Sequence, residues 1–258
     1  MLGLPSVDVS DEAFGVVPEL PSRATFPAVL TERRASGPGL SLVTLTPSLD
    51  HAKAYRAPGQ YIEVRANAKG YFVLAGEIGA PSWELLVRTN GGASDALTTA
   101  PEGTVFEVVG PLGTGFPLER ARGSQLVVAV AGSALAVTRP ILRDRIARLE
   151  ARSTTVYIGA RTAQDVALQA EVTGWVHAGA RVVLCLSRPE LDDVGALPEA
   201  RRAVGYVQSV LTRDVVEGIV PESVVFAAGP GGMLEELRSL SASAGERGGS
   251  KLEVITNV

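Results

Sequence analysis

Most of the chain's candidate chemistry sits in a few short turns. Ala131-Gly132-Ser133-Ala134-Leu135-Ala136-Val137 follows the apolar run Gln125 to Val130 and precedes Arg139 to Leu149. A buried strand, a small-residue turn and a helix therefore succeed one another. That layout lets a dinucleotide pyrophosphate rest on helix N–H groups. Glycine suits such turns because backbone can then approach the ligand. Here Gly132 is the glycine, while Ala131 and Ala134 each add a methyl; that of Ala134 would clash with a ligand, or strain the backbone if the turn needs positive φ. A second anion-friendly start is Gly91-Gly92-Ala93-Ser94, where glycines, a hydroxyl and a helix dipole meet. Ser94 would equally serve as a plain N-cap.

Other chemistries find little support. His51 and His177 are far apart, and no Ser–His–Asp set or carboxylate pair stands out by spacing. The single Cys185 cannot form an internal disulfide, and it excludes an all-Cys iron–sulfur or zinc site within the chain. It lies mid-strand and reads as a small core residue. Asp192-Asp193 reads as a solvated loop. The net charge of −4 comes with no basic cluster, which argues against nucleic acid as a partner. No apolar stretch reaches the roughly 18 residues a membrane span needs, and Met1 to Val16 lacks a signal-peptide pattern. A cytoplasmic location is the resulting expectation.

The elements that must position these turns fall into two textures. From Ala24 to Leu118 the chain alternates short strands with Gly/Pro turns: Gly39 to Thr46, Tyr61 to Val64, Tyr71 to Ala75, Trp83 to Val87 and Val105 to Val109. This spacing predicts an antiparallel β-barrel, with one short helix at Ser94 to Leu97. After Arg122 strands alternate with helices: Leu126 to Val130, Thr155 to Ile158, Arg181 to Leu186, Ser223 to Ala227 and Lys251 to Thr256 as strands. The helices are expected at Arg139 to Leu149, Thr162 to Gly174, Val207 to Val215 and Gly232 to Leu240. Such alternation predicts a Rossmann-like α/β domain with a parallel sheet. The fold class is thus α+β in two domains, barrel first.

Landmarks in order carry a resemblance over about residues 24 to 258. They are Ala57-Pro58-Gly59-Gln60-Tyr61, Gly91 to Leu97, Gly110 to Phe116, Ala131 to Leu142 and Tyr157 to Arg161. Leu186 to Pro189, Gly205-Tyr206-Val207, Ala228 to Met233 and the terminal Ile255 to Val258 complete the series. In this order they resemble the ferredoxin–NADP reductase family of flavoenzymes. The resemblance implies an N-terminal extension at 1–23, an FAD-binding-type barrel at 24–120 and an NAD(P)-binding-type α/β domain at 121–258. It implies FAD as one cofactor and NADP or NAD as the other.

Residue by residue, the resemblance assigns Gly91, Gly92 and Ser94 to the flavin pyrophosphate. The family's R-x-Y-S pattern falls on Lys69-Gly70-Tyr71-Phe72, with Lys69 at the Arg and Tyr71 at the Tyr; a shifted register puts Tyr71 and Val73 there instead. A Lys supplies a point charge without a bidentate fork. The family turn G-G-T-G-I-A-P-L-R-P corresponds to Ala131 through Pro140, giving Gly132 and Ser133 to the nicotinamide nucleotide. Arg161, Ser187 and Arg188 would meet its adenosine end, leaning towards a 2′-phosphate and NADP. The pattern C-G-P-x-x-M is Ala228-Gly229-Pro230-Gly231-Gly232-Met233 here. Gly229 is kept, and the thiol near the nicotinamide is absent. Val258 stands where many relatives end in an aromatic.

Two readings of function remain open at this stage. One is a flavin-dependent NAD(P)H oxidoreductase that passes electrons through FAD to an acceptor, by way of a separate redox protein partner. The alternative is a non-catalytic, reductase-like binding or regulatory subunit with weak or lost nucleotide binding. A flavin carrier blind to nicotinamide lies between them.

Overall fold

A computed structural model describes residues 24–190, 195–244 and 252–256. The expected extension at 1–23, Asp192-Asp193 and Val258 lie outside the described residues. The first half holds β1 (Phe26–Gly37), β2 (Leu40–Thr46), α1 (Leu49–Lys53), β3 (Tyr61–Arg65), β4 (Lys69–Val73), β5 (Trp83–Arg88), α2 (Gly92–Thr99) and β6 (Val105–Leu112). These strands form one antiparallel sheet, ordered β4-β3-β6-β1-β2-β5. A bridge between Leu74 and Leu85 joins the two edge strands and closes the sheet on itself. Period-two alternation explains the interior: Leu30, Val43, Leu45, Ile62, Val64, Phe72, Leu85 and Val108 share one buried cluster. Ala93 and Leu97 of α2 belong to that cluster, so α2 packs on the barrel core.

The second half holds β7 (Leu126–Ala131), a 3-10 turn (Gly132–Val137), α3 (Thr138–Ala147), β8 (Thr154–Ala160), α4 (Gln169–His177) and β9 (Arg181–Leu186). It continues with β10 (Arg201–Val204), α5 (Val207–Val216), β11 (Ser223–Ala228), α6 (Gly231–Ala244) and β12 (Leu252–Thr256). The sheet is parallel throughout, ordered β10-β9-β8-β7-β11-β12. Both faces are covered, as near-continuous apolar strands require. Val128, Val130, Val156 and Leu184 pack with Ile141 and Val172 of α3 and α4. Val127, Ala129, Tyr157 and Val183 pack with Leu211 and Leu237 of α5 and α6.

One apolar cluster runs through both halves, from Leu42, Val73 and Leu86 of the barrel to Leu135, Ile141 and Phe226 beyond it. Phe116 stacks on Phe226 with ring centroids 4.8 Å apart. The connection near Ala121 is held by buried Arg145 of α3, which donates to Ala121 O at 2.6 Å and Ser124 O at 2.9 Å and pairs with Glu150.

Several local expectations shift. The helix expected from Thr162 begins only at Gln169. Asp165 accepts from the N–H and hydroxyl of Thr162, making a turn, and Leu168 donates its N–H to Ser36 O in the barrel at 3.1 Å. Gly37 carries a φ of +152°, and a methyl there would stand 3.3 Å from Ala167 Cα. Capture of residues 167–168 by the end of β1 thus overrides the local helix signal. His51 lies in α1 and stacks on Phe26 with ring centroids 3.6 Å apart.

Candidate functional site

On the barrel, Lys69 and Tyr71 lie on one outward row of β4, opposite Arg65 and Glu63 of β3. Tyr71 donates its hydroxyl to Glu63 Oε2 at 3.3 Å, and Glu63 also pairs with Arg65 Nε at 2.6 Å. Burial, then the Glu63 charge, pushes the Tyr71 pKa up. The phenol stays protonated. Val73, the Tyr position of the shifted register, is buried in the shared core. Lys69 is exposed, and Tyr71 is half-buried against the same core.

The other barrel residues meet this row. A methyl on Gly70 would stand 2.9 Å from Ala93 Cβ, and one on Gly92 3.3 Å from Ala68 Cβ. The first turn of α2 is therefore pressed against β4. Gly91 has φ +100°, and a methyl there would meet nothing within 4 Å. The cradle faces open space. Its N–H is already used, donating to Asp95 Oδ1 at 2.8 Å. The helix starts at Gly91 as N-cap, and Ser94 makes no cap bond, so the reading of Ser94 as a plain N-cap does not hold.

On the sheet, order reverses at β7, with β8 on one side and β11 on the other. Open α/β sheets take ligands at the carboxyl ends beside such a reversal. Gly132, Ser133 and Gly229 all lie there. Gly132 has φ +59° with open space where a methyl would go, and a methyl on Gly229 would lie 3.5 Å from Ala131 N. The first N–H groups of the 3-10 turn have no partners within it, leaving donors for an anion.

Both alanines have ordinary backbone angles. Ala131 is extended, and its methyl stands 3.1 Å from where one on Gly159 would be, packed with the cluster under α5. Ala134 is not among the positive-φ residues and packs against the shared core. Neither site is strained: Ala131 is extended ahead of the turn, and the positive φ of the turn falls on Gly132.

A third group gathers one and two strands away. Arg188 N–H donates to Arg161 O at 2.8 Å, and Ser187 N–H donates to Ala160 O at 3.1 Å. Arg161, Ser187 and Arg188 are thus neighbours at the ends of β8 and β9, with both guanidinium-bearing residues exposed. Gly205 N–H donates to Leu186 O at 2.9 Å, which sets Tyr206 beside them, 65% exposed. In the sequence Tyr206 is a landmark of the resemblance with no role of its own. An aromatic directly after a glycine at a strand's carboxyl end was the available signal.

Arg139 was missed as well. Its side chain, 6% exposed, donates to Glu171 at 2.7 Å, Glu84 at 2.9 Å and Ala75 O at 3.2 Å. It ties α3 and α4 to β5 at the junction of the two halves. Among the described residues no group of three or more His, Cys, Asp or Glu could hold a metal.

No family model matches the chain. The fruit protein pKIWI502 of Actinidia deliciosa is 25% identical over 224 residues, covering 79% of this chain and 68% of its own. The electron transfer subunit of dihydroorotate dehydrogenase B (NAD(+)) from Desulforamulus reducens is 26% identical over 204 residues, covering 76% and 71%. Among solved structures, the Amycolatopsis cytochrome P450 reductase GcoB has a TM-score of 0.70 at 23% identity, over 90% of this chain and 70% of that one. A ferredoxin NADP+ reductase from Neisseria gonorrhoeae with bound FAD and NADP has 0.65 at 14%, over 92% and 100%. The chain therefore has the ferredoxin–NADP reductase-like fold, an antiparallel barrel followed by a dinucleotide-type α/β domain.

Proposed function

We propose that the chain is a flavin-dependent electron-transfer protein that takes reducing equivalents from a nicotinamide nucleotide and hands them to a redox protein partner. The observation that carries this reading is the open cradle at Gly91, backed by the first turn of α2 and flanked by Lys69 and Tyr71. Those residues fit FAD: Gly91, Gly92 and Ser94 suit its pyrophosphate, Lys69 supplies one positive charge, and Tyr71 offers an aromatic face. Bound FAD would supply hydride acceptance and onward electron delivery. Gly132, Ser133 and Gly229 would seat the nicotinamide nucleotide at the sheet reversal. Arg161, Ser187 and Arg188 suit a phosphate on its ribose, favouring NADP, and Tyr206 offers a ring for the adenine to stack on. A relative named as an electron transfer subunit supports the onward step to a partner.

A second reading is favoured by Ala228, a buried methyl at the position of the family thiol. On that reading the fold is kept as a binding or regulatory subunit, with coenzyme oxidation slow or lost. Reconstitution with FAD followed by anaerobic NADPH or NADH separates the two. Bleaching of a bound flavin band by either coenzyme is the expected result. A bound flavin that neither bleaches favours the subunit, and failure to bind FAD in a fluorescence titration overturns the first reading outright.

A further inference from the structure

The parallel sheet has a second end, remote from the carboxyl ends that carry the coenzyme residues. At the amino ends of β8, β9 and β10 lies a cavity of about 340 Å³. Strand register builds its floor: Tyr157 lies beside Val183, and Val183 beside Arg201. Thr155 and Arg181 form the next row outward. Ile219 and Val220 line it from the turn after α5, a turn held by their N–H groups on Asp214 O at 2.8 and 3.2 Å.

The polar groups divide into committed and uncommitted ones. Tyr157 donates to Asp214 Oδ2 at 2.7 Å, and Arg201 pairs with the same fully buried carboxylate. Burial, then Asp214, holds the Tyr157 hydroxyl protonated far above its usual range. Glu199 on the cavity wall is engaged by His177 at 2.9 Å. Arg181 donates Nε to Thr155 Oγ1 at 3.1 Å and has no carboxylate partner among the described residues. Its terminal nitrogens are therefore available, as is part of the Arg201 guanidinium, 43% exposed. Val176, Ala180, Val183, Ile219 and Val220 make the rest of the lining apolar.

We propose that this cavity binds a small organic monocarboxylate, its head on Arg181 and Arg201 and its apolar body against Val183, Ile219 and Val220. A planar guanidinium suits a carboxylate, and an aliphatic wall suits the body. The volume lies near the lower end of small-molecule sites, about 300–1,000 Å³, which fits a small acid and not a dinucleotide. The site stands apart from the coenzyme reading and does not depend on it.

Calorimetric titration of the full chain with octanoate and benzoate tests the proposal, with octanol, benzyl alcohol and inorganic phosphate as controls. One saturable site for a carboxylate, with weaker binding of the alcohols and of phosphate, is expected. Arg181→Gln should weaken it by about tenfold or more, since a charge-assisted contact is lost. Thr155→Val, which releases the Arg181 side chain, should weaken it less, and both variants should keep the wild-type melting curve. Arg188→Ala, at the opposite sheet end, should leave it unchanged. The proposal falls if neither acid binds up to about 10 mM, if alcohol or phosphate binds as tightly as the acids, or if Arg188→Ala rather than Arg181→Gln removes the binding.

Discussion

At the scale of single residues, the two alanines of the coenzyme turn carry the sharpest consequence. Read from sequence, their methyls stood in the ligand's way. In the fold the Ala131 methyl packs beside Gly159 against the cluster under α5. Ala131→Gly should therefore cost about 1 kcal/mol of stability, through a lost half-buried methyl and a freer backbone. Urea unfolding reads that cost, and coenzyme affinity should stay within about twofold; a large gain in affinity would show the methyl to be the obstacle after all. Cys185 yields a pH effect. Burial lifts its thiol from 9.0 to about 12, with nearby Asp214 adding to the rise and Arg201 opposing it. The native thiol thus holds its proton more tightly than the unfolded one, so its contribution is whole below pH 9.0 and is lost as pH climbs towards 12. Cys185→Ala should flatten the alkaline loss of stability in urea melts at pH 8 to 11. An unchanged slope would place the titration elsewhere; Tyr55 and Tyr157, also raised by burial, act with the same sign at higher pH.

At the scale of elements, helix and strand types were legible wherever apolar period and turn residues agreed. Strands β7 and β9 are apolar runs bounded by turns, and α5 begins at Val207 as expected. Two of the exceptions have tertiary causes, while β1 and α1 were not expected from the sequence at all. The start of α4 yields to the grip of Ser36 and Gly37 on residues 167–168, and the short edge strand β10 exists because it pairs with β9. No local pattern encodes either contact. The seating of α2 on β4 depends on Gly70 in a different way. Its backbone is ordinary, but a methyl there would stand 2.8 Å from Phe72 Cε2 and 2.9 Å from Ala93 Cβ. Gly70→Ala should push α2 off the strand, destabilise the barrel by about 1–3 kcal/mol and weaken FAD binding in a fluorescence titration. Retained flavin affinity alongside lost stability would mean that α2 does not position the cofactor.

At the scale of the whole molecule, the two halves share one apolar cluster and the Arg139 link between β5, α3 and α4. A common core argues for joint unfolding. The chain's 2 tryptophans report separately, Trp83 from β5 and Trp175 from α4. Single-tryptophan variants Trp83→Phe and Trp175→Phe should show coincident urea midpoints once corrected for each substitution's own cost. Two separated transitions would mean that the halves unfold independently. From sequence alone came the order and type of most elements, the two-part plan and the small-residue turns, because periodicity and backbone preference act over a few neighbours. Tertiary structure alone decided that Arg139 reaches Glu84, that Ala131 packs under α5 and that Leu168 is held by Ser36. It also opened a cavity beneath the sheet's amino ends. Each of these depends on strand register and on packing between segments far apart in the chain, and neither is written in any local stretch of residues.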